Sequence, residues 1–149
     1  MTQKKAIILG SSLVLLNGLV GHFFAPLGLF LTPVIIPAFA VLVMLTSRPS
    51  FTPITGCAFV FALFALNDVL IKLYSGGSHD GEGAGWVSMM AMLGMIPAII
   101  LLIVWLVNTP SSKPLVKIAA LILFVCLTWA YMSLTKDLGQ GRLYWHPWN

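Results

Sequence analysis

The sequence predicts an all-α polytopic membrane protein: one bundle of five transmembrane helices spanning residues 1–149. Three observations carry that expectation. Only 8% of the residues are charged while 59% are hydrophobic, whereas a soluble domain carries about 25% charged residues to cover its surface. The apolar residues therefore face something other than water, in keeping with a mean hydropathy of +0.99. The apolar residues also come in long continuous runs rather than in the period-two alternation of barrel strands. Helices satisfy every backbone polar group within the segment, as hydrocarbon demands.

Spanning the hydrocarbon core takes about 20 apolar residues, and five runs meet that length. The first, 6–24, follows Lys4 and Lys5. It is too long for a signal-peptide core and lacks a good small-residue cleavage site, so it reads as an uncleaved helix. The second, 29–46, follows the tight connection 25–28 and carries Pro33 and Pro37. These prolines leave a re-entrant hairpin, with four spanning helices, as the alternative. The third, 54–74, is entered through Pro49 and Pro53; the fourth, 86–107, follows the glycine-rich stretch 75–85. The fifth, 115–134, follows Pro110 and Pro114, and a polar and aromatic tail, 135–149, ends the chain.

Basic residues near helix ends set orientation. With the N-terminus inside, Lys4, Lys5, Arg48, Lys113 and Lys117 lie inside and Lys72, Lys136 and Arg142 outside. The bias favours a cytoplasmic N-terminus and an external C-terminus, and the short loops fit a bacterial inner membrane. The net charge of +4 is scattered over segment ends, which suits topology rather than nucleic-acid binding. Cys57 and Cys126 both lie within apolar runs and read as packing residues.

Helices in lipid associate through close packing of small residues and through hydrogen bonds. Ala58 with Ala62, and Gly94 with Ala98, have the required spacing of four. Either pair serves packing within the chain or an interface with another.

Polar side chains gather toward the predicted outer face. Asp68 is the only carboxylate inside an apolar run, and intramembrane ionisable groups are costly and often functional. Lys72, one turn on, can pair with it while its stem snorkels to the interface. His22, Asn67, Asp68 and Lys72 are the candidates for a ligand or ion pathway. His79, Asp80 and Glu82 offer an imidazole and two carboxylates within four residues, donors that suit a divalent metal. No recognised metal motif frames them, and the glycines around them read as a solvated connector. Haem on His22 lacks a second histidine at matching depth, so no cofactor is predicted. In the tail, Tyr144, Trp145 and Trp148 suit the membrane interface or a partner-docking segment.

No catalytic constellation emerges. The expected partners are the bilayer and other membrane subunits or further copies of the chain. The favoured function is an accessory or assembly subunit without chemistry of its own. A small oligomeric transporter or channel with a polar entrance around Asp68 is the second reading. A metal- or haem-dependent enzyme acting at the outer face is the third.

Overall fold

A computed structural model describes residues 1–46, 50–76, 78–110 and 112–141. The described residues form five helices: α1 Gln3–Phe23, α2 Leu27–Met44, α3 Pro53–Tyr74, α4 Gly81–Val107 and α5 Pro114–Leu134. Each is long and apolar enough to cross a membrane. The chain is thus an all-helical membrane bundle of five spanning helices. α2 runs unbroken through Pro33 and Pro37, so a re-entrant hairpin is not what this segment forms. The backbone carbonyls freed by proline are tolerated where neighbouring helices cover them. Here Gly94 of α4 lies directly against Pro33.

Local chemistry sets the helix ends. Thr2 accepts from the Lys5 amide to start α1. Thr52 and Thr55 form a reciprocal capping box at the start of α3, with Pro53 in its first turn, satisfying amides that have no helical partner. Asp80 accepts from the Gly83 amide at 2.6 Å and starts α4 at Gly81. That is five residues earlier than the hydropathy pattern places it, because an aspartate cap overcomes the low helix propensity of the glycines that follow. At 1.5 Å per residue, the 27 residues of α4 extend about 40 Å against a hydrocarbon core of about 30 Å. Buried Thr46 and Thr109 turn their hydroxyls back onto the carbonyls of Leu42 and Trp105.

Consecutive helices run up and down. The Met1 ammonium donates to the Leu45 carbonyl, which places the chain start and the end of α2 at one end of the bundle. The Gly76 amide donates to the Gly21 carbonyl, which places the end of α1 and the end of α3 at the other. α2 packs between α1, α3 and α4, while α5 lies outside against α3 and α4. The core is built from Ile36, Phe39 and Val43 of α2, Val60 and Phe64 of α3, Ala98 and Leu102 of α4, and Phe124 of α5. α5 buries only Ala120, Phe124 and Thr128.

Small residues set the closest approaches. A Cβ on Gly28 would lie 2.5 Å from the Gly21 Cα, and one on Gly94 would lie 2.9 Å from the Pro33 Cα. Both contacts are with backbone, so neither position has room for a side chain unless the helices part.

A buried polar latch as the candidate functional site

Two polar clusters lie inside the apolar bundle. The first joins three helices. Asn17 of α1 and Asn67 of α3 are both 0% exposed, and Asn17 Nδ2 donates to Asn67 Oδ1 at 2.9 Å. The same amide lies 3.4 Å from Thr32 Oγ1 of α2, whose hydroxyl donates back to the Gly28 carbonyl. Such interhelical bonds contribute about 0.6–2 kcal/mol each in lipid.

The second cluster joins α3 to α5. Lys72 Nζ lies 2.8 Å from Asp68 Oδ2, and both side chains are about as buried as the hydrophobic core, at 3%. Nζ also donates to the carbonyl and hydroxyl oxygens of Thr135, at 3.1 and 3.2 Å. An ammonium has three protons to place, and these three oxygens accept them. Tyr131 shares its single hydroxyl proton between Asp68 Oδ2 at 2.9 Å and the Ala65 carbonyl at 3.1 Å. Thr135 passes its own proton to the Tyr131 carbonyl. Burying two charges is costly, and it is tolerated only when the pair is close and the remaining protons and lone pairs are met. The pair is close, all three Lys72 protons are placed, and Asp68 Oδ2 takes two of the donors. The Lys72 side chain does not snorkel: partners from the end of α5 hold it inside.

Beyond α5 the chain folds back over the same end of the bundle. His79 Nδ1 lies 2.9 Å from the Gly139 carbonyl, an acceptor, so this nitrogen carries the proton. The Gly141 amide donates to the His79 carbonyl at 2.9 Å. Gly139 has φ +87°, a conformation that favours glycine, and a Cβ there would run into the Lys72 carbonyl. The returning segment therefore packs against the backbone at the end of α3 and against His79, just before α4.

The pathway candidates separate accordingly. Asn67 belongs to the α1–α2–α3 cluster, and Asp68 and Lys72 belong to the α3–α5 latch. His22 is exposed, with its Nδ1 3.2 Å from the Tyr74 carbonyl. The three metal candidates do not converge. His79 turns to Gly139, Asp80 caps α4 and Glu82 is exposed in its first turn. Among the described residues no group of three His, Cys, Asp or Glu side chains is placed to hold a metal ion. Gly94 and Ala98 pack inside the bundle, whereas Ala58 and Ala62 lie on its exposed surface. Tyr144, Trp145 and Trp148 fall outside the described residues.

Sequence reasoning does not single out Asn17, Thr32, Tyr131 or Thr135. Asn17 carried the one available signal, a lone amide in the middle of an apolar run. Tyr131 and Thr135 look like ordinary interfacial residues until the fold sets them beside Asp68 and Lys72.

No family model matches this chain, and no curated protein or solved structure matches it.

Proposed function

We propose that this protein is a helix-packing module without catalytic chemistry, one that assembles in the bilayer with other membrane subunits or with further copies of itself. The observation that carries the reading is the uncovered small-residue face of α3. Ala58 and Ala62 are exposed, although their side chains are of the size that lets membrane helices approach closely. They lie on the helix to which both α1 and α5 pack, while α1 and α5 share no contact among the described residues. An exposed pair of alanines one turn apart lets an incoming helix approach closely. The latch adds support. Asp68 Oδ2 already holds an ammonium and a phenol hydroxyl, so the carboxylate charge is offset within the chain itself. The positive-inside bias supports a cytoplasmic N-terminus and an external C-terminus, and the short loops support a bacterial inner membrane.

The test is to enlarge the alanine face without touching the core. The double variant Ala58→Leu/Ala62→Leu should fold with wild-type thermal stability and lose association, read as complex mass in mild detergent or as energy transfer between labelled chains in vesicles. Unchanged association in a folded A58L/A62L protein would remove the support for this face.

A further inference from the structure

We propose that the cleft between the α1–α2 turn and the first turn of α4 binds an organic cation, an alkylammonium group attached to an apolar body. The cleft has a volume of about 470 Å³ and is lined by Pro26, Leu29, Phe30, Asp80, Glu82 and Trp86, among others. Sites for small molecules are concave and largely apolar, with a few placed polar groups and volumes of about 300–1,000 Å³. This cleft fits that description on size and on lining.

Charge points to the sign of the ligand. Asp80 and Glu82 are two of the four acidic residues in a chain of net charge +4. Neither has an ion-pair partner among the described residues, where the ion pairs are Asp68–Lys72 and Lys136–Asp137. The Asp80 carboxylate takes one backbone amide, from Gly83. The α4 dipole contributes the equivalent of about half a positive charge, so among the described residues the two carboxylates leave the cleft negative. Phe30 and Trp86 are about half exposed, and aromatic faces attract ammonium groups, tryptophan most strongly. Apolar walls, two aromatic rings and carboxylates without an ion-pair partner among the described residues together suit a cation with a greasy body. A bare divalent ion would want several converging oxygens, and the described residues gather no such set. The cleft lies at the first turn of α4, at one end of the bundle, so either a lipid headgroup or a soluble amine could supply the ammonium.

The experiment is calorimetric titration of benzyltrimethylammonium into the full chain in phosphatidylglycerol nanodiscs, with empty discs subtracted. The expected result is saturable one-to-one binding. Asp80→Asn with Glu82→Gln should weaken it about tenfold or more, because two opposite charges are removed. Asparagine also caps helices, so α4 keeps its start. Trp86→Leu should weaken binding about two- to fivefold, and E82Q alone, at an exposed position, provides a variant whose folding is not at risk. Three results would overturn the proposal: no saturable binding, affinity unchanged in D80N/E82Q, or calcium binding that the organic cation does not displace. Discs containing phosphatidylcholine then separate the sources. Weaker probe binding in them identifies a lipid headgroup as occupant. Unchanged binding, with competition by free choline, identifies a soluble amine.

Discussion

Lys72 shows most clearly what single residues do in this protein. Its ammonium is buried, and three oxygens take its three protons. Removing one member of a buried pair strands the other charge and costs about 3–5 kcal/mol. Asp68→Asn and Lys72→Met should each lower stability by about that amount in a reversible detergent unfolding assay. The double variant should lose much less than the sum, since no stranded charge remains. Additive losses would mean that the two side chains do not act as a pair. Gly139 makes a separate residue-scale prediction. Gly139→Ala places a Cβ against the Lys72 carbonyl at a positive φ, so the returning segment should lift. Hydrogen exchange at the Gly141 amide, which donates to His79, should then accelerate strongly while core amides of α2 keep their protection. The residues involved were only partly legible in the sequence. Spacing alone could pair Asp68 with Lys72, because i and i+4 share a helix face. Spacing could not show that Thr135, 63 residues away, would hold the lysine inside.

At the scale of elements, the five spans were legible because length and continuous hydrophobicity leave few other ways to satisfy a backbone in lipid. The start of α4 was not, because glycines at 81, 83 and 85 read as a loop unless the aspartate cap before them outweighs their propensity. The prolines of α2 also misled in part. They suggest a break, but α4 packs against the helix at Pro33 and the helix continues. That contact gives the element-scale prediction. Gly94→Leu should force α2 and α4 apart at their backbone contact and lower stability by about 1–3 kcal/mol or more, the usual range for overpacking. Unfolding followed in detergent checks it. Because α5 touches only α3 and α4 and buries few residues, it depends on the polar latch more than any other helix does. D68N should therefore raise hydrogen exchange along α5 before it affects α2.

At the scale of the whole molecule, two polar clusters inside the bundle hold helices together. Asn17, Asn67 and Thr32 tie α1, α3 and α2; Asp68, Lys72, Tyr131 and Thr135 tie α3 to α5. Among the described residues, what faces outward is a largely apolar surface with an exposed alanine pair on α3 and an acidic, aromatic cleft at the end where α4 begins. This division was hard to see beforehand, because a sequence gives the polar residues at one depth without saying which are already paired. The proposal of a packing module rests on it. The most direct test is the native mass of the chain extracted at native levels in lipid nanodiscs, together with identification of whatever accompanies it. The account predicts a stoichiometric assembly, with other membrane subunits or with further copies, that comes apart in A58L/A62L. A wild-type chain that emerges uniformly as a monomer, bound to lipid alone, would contradict it.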